Sequence, residues 1–488
     1  MKREKGAAVF VALLVVISLA RLFLVSAQPF NDDAAVYAEM AREAFAGLPL
    51  VPHYLGNPVS WKPPAGIYLY AAAATAAEAA WPQIPVEIAL RLGPALASIA
   101  CAFALFAIAR RLFGDEAAFL SAVAFLTASE TLAVANGMLL DTAFILFALL
   151  ALYAYMRSFE GRGWLWVASA FAVLAALTKT YAALLIPLLA IAYYLSRNPR
   201  RMRSPAFIAS LFAAPAAMLA YALLFALIVP NGLREIAASY IYDSLGRVFM
   251  SAPGLLSNAT DIFRMLFPWS VLVPAGVVTL RLRKQEDMFL LMWFCISLIT
   301  LLGKPGYFWY YLPLVPPAAL LSVRALSLLR PAHMRAAFIL CLIVSLANYE
   351  ELAAPGGNGE QAAVGIFLSH GCGSTLFITE RGVPAVAFYK FSAGGGCSYS
   401  SVSQMVAEPF GSESYTAFAS MWELVMEKYE PNSLANATPR YLGSLAAGYE
   451  TVVMEKKFYD IYGKEPLPDY SPVFFSPHGD FVVLRRAG

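Results

Sequence analysis

Long apolar segments alternate with short polar ones along the first 350 residues. Apolar runs of bilayer-spanning length fall at 7–27, 88–109, 116–135, 142–157, 163–178, 181–196, 206–229, 266–281, 288–303, 308–325 and 335–350. The pattern predicts about eleven transmembrane helices. The first run follows the basic "MKREK" and no small-residue cleavage site comes after it. We therefore expect a retained helix, not a signal peptide.

The segment 65–81 is apolar but short, rich in alanine and interrupted by Glu78. If it does not span, the basic segments fall on one side, which the positive-inside rule assigns to the cytoplasm. These segments are "MKREK", "ARRLFGDE", "MRSFEGRG", "SRNPRRMRS", "RLRKQED" and "RALSLLRPAHMR". If it spans, "MKREK" lies opposite all the others. We therefore predict an interfacial or re-entrant helix at the outer surface.

This topology leaves residues 28–87, residues 230–265 and the chain after about 350 outside the cytoplasmic membrane, with the N-terminus in the cytoplasm. From "APGGNGE" onward the chain is more polar, with strand-like "STLFIT" and "FVVLRR" and a helical "SMWELVMEKYE". The sequence predicts a membrane domain over 1–350 and a small α/β soluble outer domain over 351–488.

Composition supports a polytopic membrane protein. The 488 residues are 60% hydrophobic and 14% charged, which excludes a soluble protein of this length. No P-loop motif for nucleotide phosphates is present, and we expect no nucleic-acid partner. Three cysteines lie in predicted spans as packing residues, whereas Cys372 and Cys397 lie in the predicted outer domain. The latter form a disulfide or are two unrelated free thiols; we predict the disulfide.

Polar residues gather at the predicted outer ends of the spans, where ionisable groups default to a functional hypothesis. They are Asp32, Asp33, Tyr37, Glu39, Arg42, His53, Lys62, Arg91, Asn136, Asp141, Lys179, Lys304, Tyr307, Tyr310 and Tyr311. Simpler interpretations stay open. Arg91 and Lys179 can extend to lipid headgroups, and Asp141 can cap a helix.

Three further interpretations also stay open. The aromatic residues at 307–311 can form an interfacial belt. Glu39 and Arg42, three apart on a predicted helix, can form a surface ion pair. His53 follows a proline and has no second histidine near it, so a hydrogen-bonded loop residue is a simpler interpretation than a metal ligand.

Asp33 and Lys62 suggest chemistry on a lipid phosphate. Asp33 and Tyr37 are four apart on one face of an amphipathic helix that should lie on the bilayer, with Asp32 beside them. Lys62 supplies a cation before two prolines. An ammonium group stabilises a leaving phosphate, and a carboxylate deprotonates an acceptor.

The segments "DAAVYAEMAREAF" and "LVPHYLGNPVSWKPPAGIYLY" resemble the first outer loop of the aminoarabinose lipid A transferases and of the wider protein-mannosyltransferase-like superfamily. The likeness extends through "RLGPALASIACAFALFAIARRLFG", "NGMLLDTAFILF", "LTKTYAALLIPLLA" and "WYYLPLVPPAALL". The resemblance implies a C-type glycosyltransferase fold with interfacial helices in the first outer loop. It also implies a polyprenyl-phosphate sugar as the donor and a lipid, glycan or protein acceptor at the outer face.

The resemblance implies roles for single residues. Asp33, four before the tyrosine of "YAE", matches the catalytic aspartate, and Lys62 matches the lysine expected to contact donor phosphate. Asp141 matches an aspartate of the second outer turn, and Tyr310 matches the tyrosine of the W-Y-x-L-P stretch; we place Tyr310 and Lys304 with the phosphate-binding residues.

Two positions depart from the lipid A transferases. Trp61 replaces a glutamate associated with metal coordination, which disfavours a bound divalent metal, and we expect no other cofactor. Val36 replaces an arginine, which argues against aminoarabinose specificity.

The leading hypothesis is an inverting glycosyltransferase with Asp33 as the general base. The alternatives are a lipid or solute transporter, which should carry polar groups at mid-membrane and show paired halves, and a surface-polysaccharide ligase or polymerase with an oligosaccharide-lipid donor.

Overall fold

The structure is a computed structural model, and it describes residues 2–28, 30, 32–47, 50–54, 57–59, 62–230, 232–233, 236, 255–301, 308–353, 363–364, 375–378, 451–456, 460, 469–477 and 480–486. The chain divides into two compact units. The first comprises residues 1–27, 60–228 and 239–355, and the second comprises residues 28–59, 229–238 and 356–488.

Helices dominate the first unit. They are α1 (Lys2–Leu22), α3 (Pro64–Ala80), α4 (Val86–Phe113), α5 (Asp115–Thr127), α6 (Ser129–Asn136), α7 (Asp141–Arg157), α8 (Gly163–Ala176), α9 (Leu185–Arg197), α10 (Pro205–Leu211), α11 (Ala213–Ile228), α12 (Leu255–Met265), α13 (Trp269–Val278), α14 (Gln285–Ile299), α15 (Val315–Leu326) and α16 (Pro331–Ala353). In the described part of this unit, three short 3-10 helices interrupt them, at Tyr181–Leu184, Pro199–Arg203 and Phe308–Leu314. Every apolar segment that the sequence predicts to span coincides with one of these helices or with a broken pair of them.

Two predicted spans, 116–135 and 206–229, are each bent between two helices, and a third bent pair joins α13 to α12, which lies in the predicted outer loop 230–265. Among the described residues, α4 alone is long and apolar enough to cross a membrane by length and composition, and the number rises to four if each of three bent pairs is one span. The pairs are α5 with α6, α10 with α11, and α12 with α13, bent by 50°, 44° and 108°. The count of about eleven spans stays a prediction.

Exposed apolar side chains mark the helices that would face lipid. Leu19 on α1, Leu227 on α11 and Ile343 on α16 are 57%, 86% and 60% exposed. Isolated exposed leucines are ordinary in soluble proteins, but these repeat along long apolar helices. The pattern is the one expected where hydrocarbon replaces water as the solvent.

Helices of the first unit cross closely at two glycines. A Cβ on Gly276 of α13 would lie 2.1 Å from the carbonyl oxygen of Leu321 on α15. A Cβ on Gly93 of α4 would lie 2.7 Å from the Cα of Tyr70 on α3. These backbones can approach so closely only because glycine has no side chain. The distance between the helices of each pair therefore requires glycine at this position.

One end of the helices gathers five of the six basic segments. Their links are Arg111 to Glu160, Arg201 to the carbonyl of Phe159, Arg197 to Glu286, and Arg324 to Asp287. These contacts join "ARRLFGDE", "MRSFEGRG", "SRNPRRMRS", "RLRKQED" and "RALSLLRPAHMR" into one group. The shared position agrees with the sidedness that the sequence predicts; its assignment to the cytoplasm stays a prediction.

The second unit contains α2 (Asp32–Gly47), a hairpin of β1 (His53–Tyr54) and β2 (Asn57–Pro58), and a four-stranded sheet. Its strands are β3 (Thr375–Ile378), β4 (Thr451–Glu455), β5 (Tyr470–Phe475) and β6 (Phe481–Arg486), in the order β3-β4-β6-β5. The β3–β4 pair is parallel and the other two pairs are antiparallel.

The sheet has a small apolar core of Val364, Val453, Phe481 and Val483, against which Phe474 packs. The runs "STLFIT" and "FVVLRR" form strands β3 and β6, as their patterns predict. The helix predicted for "SMWELVMEKYE" and both Cys372 and Cys397 lie outside the described residues.

Candidate active site

An ion pair joins two turns at the end of the first unit opposite the basic group. Asp141 is the first residue of α7, and Lys179 lies in the turn that follows α8. The ammonium of Lys179 donates to Oδ1 of Asp141. The side chains are 17% and 6% exposed, so the surrounding protein screens this pair far less than water would. Asp141 is the first residue of α7 and not its N-cap, which is Leu140, and the hydrogen bond that its side chain accepts comes from Lys179.

Tyr310 completes the group. The Nζ of Lys179 lies 4.9 Å from the centroid of the Tyr310 ring, within the range of a cation–π contact. One cation therefore serves a carboxylate and an aromatic face at the same time. The structure brings together Asp141 and Tyr310, both predicted as site residues, through Lys179, for which headgroup contact remained open.

Tyr70 of α3 holds the start of α7 in place. The N-cap position of α7 is Leu140, whose side chain cannot accept a hydrogen bond. The Tyr70 hydroxyl accepts from the backbone N–H of Ala143 (3.2 Å), donates to the carbonyl of Leu139 (2.8 Å) and lies 2.6 Å from the Thr142 hydroxyl. A side chain from a neighbouring helix thus supplies the cap that the local sequence lacks.

The start of α3 also docks on the turn that carries Lys179. The backbone N–H of Ala65 donates to the carbonyl of Leu177 at 2.8 Å. A Cβ on Gly66 would lie 2.6 Å from Cγ2 of Thr178. Pro64 occupies the first helical turn, where its missing N–H costs nothing, and the half-buried Lys62 comes two residues earlier. The "KPPAG" stretch therefore places Lys62 just before the first turn of α3, and that turn is hydrogen-bonded to the turn that carries Lys179.

Arg91 and Asn136 tie the end of α1 to α4 and α6. Nε of Arg91 donates to the carbonyl of Asn136 at 2.6 Å, and Nη1 donates to the carbonyl of Ser26 at 2.9 Å. The Asn136 amide donates to the carbonyl of Leu24 at 3.1 Å. Arg91 is 4% exposed, so it binds backbone inside the protein and does not extend to headgroups.

The turn between Asn136 and Asp141 carries an unusual backbone. Met138 has a φ of +52°, and its neighbour Gly137 has an ordinary negative φ. A methionine in the left-handed region is strained and persists where surrounding contacts determine the conformation. The Met138 side chain is fully buried, which supplies such contacts directly before Asp141.

In the second unit, α2 presents Asp33 at its exposed start, and Tyr37 one turn later is 7% exposed. Nε of Arg42 donates to Glu39 at 3.0 Å. The pair forms as its spacing predicts, but it is not a surface pair, because Glu39 is fully buried and only Arg42 reaches the surface. The spacing of three residues along the helix predicts the contact between Glu39 and Arg42. Which of the two side chains is buried depends on the packing of the unit.

The comparisons with known proteins concern the fold and the family of this chain. Residues 63–233 match the sequence model of the dolichyl-phosphate-mannose-protein mannosyltransferase family. The structure is similar to the crystal structure of ArnT from Cupriavidus metallidurans bound to undecaprenyl phosphate, with a TM-score of 0.68, 15% sequence identity and coverage of 97% of both chains. The resemblance to the protein-mannosyltransferase-like superfamily is confirmed.

A second similar structure is the archaeal oligosaccharyltransferase AglB from Archaeoglobus fulgidus in complex with an inhibitory peptide and a dolichol-phosphate. Its TM-score is 0.53 at 14% identity, with coverage of 97% of this chain and 74% of that one. At such identities the similarity establishes the membrane C-type glycosyltransferase fold. No curated protein sequence matches this chain.

Three residues that the sequence analysis singles out lie outside the described part of the chain: Trp61, Lys304 and Tyr307. Asp32 is described only as the first residue of α2. Within the described ranges, no group of three or more histidine, cysteine, aspartate or glutamate side chains could hold a metal ion. The described residues do not fit a metal centre, and we derive no step through one.

Sequence reasoning missed Tyr70 and Glu130. Tyr70 is a fully buried tyrosine in an alanine-rich helix, where a hydroxyl needs a partner, and that need was the available signal. Glu130 is fully buried at the start of α6, and neither carboxyl oxygen has a hydrogen-bond partner among the described residues. A lone acid inside a predicted span was the signal for Glu130.

Proposed function

We propose that this protein is a glycosyltransferase that moves a sugar from a polyprenyl-phosphate donor to a lipid, glycan or protein acceptor at the outer face of the cytoplasmic membrane. The observation that carries the proposal is the Asp141–Lys179–Tyr310 group. It lies at the end of the bundle opposite the basic segments, and two of its members fall inside the matched family segment. The shared fold with ArnT, crystallised with undecaprenyl phosphate, supports a lipid-linked donor.

Lys62 is proposed as the main contact of the donor phosphate, as the family resemblance implies, and its position directly before α3 supports this role. Lys179 is already matched by a carboxylate and by the face of Tyr310. A phosphate placed beside it would compete with Asp141 for the same ammonium. Lys62 stands before α3, whose first turn rests on the Lys179 turn, so a phosphate there would lie near the group without displacing the pair. Lys304 and Tyr310 are proposed to complete this phosphate site.

Asp33 is proposed as the general base, with Tyr37 and Asp32 beside it on α2. Its exposed carboxyl takes the proton from the acceptor hydroxyl as the acceptor oxygen forms a bond with the anomeric carbon. The bond between that carbon and the phosphate oxygen breaks, and its electron pair leaves with the polyprenyl phosphate. The ammonium of Lys62 stabilises the charge that grows on this leaving group. Attack opposite the leaving group inverts the anomeric centre.

The proposal includes the arrangement of the chain. Residues 1–350 form the membrane domain, with a cytoplasmic N-terminus and outer loops at 28–87 and 230–265. Residues 351–488 form a soluble outer domain closed by a disulfide between Cys372 and Cys397. A mass shift on reduction and alkylation tests the disulfide, and two free thiols alkylated without reduction would contradict it.

The test of the activity is transfer from a panel of radiolabelled polyprenyl-phosphate sugars, using membranes that contain the wild type or Asp33→Asn. We expect Asp33→Asn to lower label in the acceptor fraction by about 100-fold or more, as removal of a general base does. Glu78→Gln is the matched control, since Glu78 is an exposed acid on α3, and it should transfer at the wild-type rate. Full transfer by correctly inserted Asp33→Asn would remove Asp33 from the mechanism.

A further inference from the structure

A cavity lies at the basic end of the first unit, at the opposite end of α7 from the Asp141–Lys179–Tyr310 group. Its volume is about 210 Å³, and it opens between the ends of α4, α7 and α9 and the start of α14. Arg111, Tyr193, Arg197, Glu286 and Phe289 line it. The proposed transfer reaction uses none of these residues.

The two arginines retain unused donors. One Nη of Arg111 donates to Glu160, and one Nη of Arg197 donates to Gln285 (2.8 Å) and Glu286 (3.0 Å). A guanidinium has five N–H groups in a planar fork. Among the described residues no partner takes the others. Two forks on one cavity match the oxygens of a phosphate group.

Glu286 is the only carboxylate among the described lining residues, and it does not prevent an anion from binding to Arg197. Its pair with Arg197 joins side chains that are 33% and 45% exposed. Ion pairs at such exposure contribute little, so a phosphate oxygen can replace the Glu286 carboxylate on Arg197 at small cost. The lining keeps a net positive charge, with two guanidiniums against one carboxylate.

The remaining lining suits the part of a lipid next to its phosphate. Leu112, Met156 and Phe289 provide an apolar wall, and the ring of Phe289 packs edge-on against Tyr193 at 5.1 Å. The Tyr193 hydroxyl has no hydrogen-bond partner among the described residues. We infer that this cavity binds the phosphate of an anionic phospholipid headgroup, with Arg111, Arg197 and Tyr193 as donors and the apolar wall against the glycerol carbons.

The test is native mass spectrometry of the full-length protein titrated with phosphatidylglycerol and, separately, with phosphatidylcholine. The wild type should retain phosphatidylglycerol in preference. Arg111→Gln with Arg197→Gln should weaken its retention by about tenfold or more, as expected for lost charge-assisted hydrogen bonds. The matched control is Arg200→Gln with Arg203→Gln, which removes the same charge from exposed positions outside the cavity and should retain the lipid as the wild type does.

Tyr193→Phe covers the case in which the double variant does not fold, because it removes one hydroxyl and keeps every ring contact. It should weaken phosphatidylglycerol retention by about threefold, as expected for the loss of one hydrogen bond to the phosphate. Equal loss in the Arg200/Arg203 control would overturn the assignment in favour of general surface charge. Displacement of the lipid by inorganic phosphate at equal concentration would overturn the lipid source in favour of a free anion. Neither readout depends on sugar transfer, so failure here leaves the proposed activity untouched.

Discussion

Lys179 donates to Asp141 across 38 residues of sequence, and this pair joins the turn after α8 to the first residue of α7. Both partners are largely removed from solvent. Removing one partner therefore leaves an uncompensated charge, whereas removing both does not.

The pair predicts a non-additive mutation cycle. Asp141→Asn and Lys179→Met should each destabilise the protein by about 3–5 kcal/mol, and the double variant should recover most of the loss. Thermal unfolding in detergent checks this. The exposed pair Arg110–Asp115 is the control, since its side chains are 50% and 26% exposed and its cycle should give less than about 1 kcal/mol. Additive losses at Asp141 and Lys179 would contradict the pairing.

Tyr70 and Tyr68 offer a matched test of the helix cap. Tyr70→Phe removes the hydroxyl that accepts from Ala143 and should cost about 1–3 kcal/mol of stability. The Tyr68 hydroxyl, two residues away on α3, is buried without a hydrogen-bond partner among the described residues. Tyr68→Phe should therefore be neutral or stabilising. The midpoints of thermal unfolding of the two variants test this prediction. Equal losses of stability would contradict a capping role for the Tyr70 hydroxyl.

Two fully buried carboxyl groups should respond in opposite directions. Oδ2 of Asp287 accepts from Nη2 of Arg324 and from the backbone N–H of Arg281, both at 2.9 Å. Asp287→Asn should lower stability by about 1–3 kcal/mol. Glu130 has no such partner in the described structure, so Glu130→Gln should leave stability unchanged or raise it. Urea titration of both variants checks the signs, and a loss in Glu130→Gln would show that its carboxylate is bound.

Gly276 tests the close crossing of α13 and α15. Gly276→Ala places a Cβ against the carbonyl oxygen of Leu321 at 2.1 Å, so we expect the helices to separate and folded yield to fall severely. Gly163→Ala is the control, because a Cβ there meets nothing within 4 Å at the start of α8. That variant should match or slightly exceed the wild type in stability. Size-exclusion profiles of the two proteins give the answer, and a folded Gly276→Ala would refute the crossing geometry.

The sequence predicts the positions of the helices well, because the length of an apolar run can be read directly from consecutive residues. It does not predict the break between α5 and α6 at Ala128, where no proline or glycine stands. It also does not place the positive φ, which falls on Met138 although Gly137 is adjacent. The backbone conformation at these two positions is determined by packing against other helices. A single sequence does not show which helices pack together, so it cannot predict that conformation.

The candidate site residues also include some that the sequence predicts and some that depend on contacts between distant segments. Asp141 and Tyr310 match positions in the family resemblance, and the structure places both on one cation. The partner of Lys179 and the burial of Glu39 were not foreseeable, because both depend on segments distant in sequence. The proposed roles of Asp33 and Lys62 stay predictions that the transfer assay tests.

Helix α3 touches each part of the proposed site in its own unit. Its entry carries Lys62, its first residues hold the Lys179 turn, and its Tyr70 caps the helix that begins with Asp141. The positions of these three elements therefore all depend on α3, which the close contact of Gly93 with the Tyr70 backbone holds against α4. A selection for restored activity after substitution of Gly93 should recover second-site suppressors on α3 and α4 that let the two helices separate, in preference to changes at the charged residues themselves.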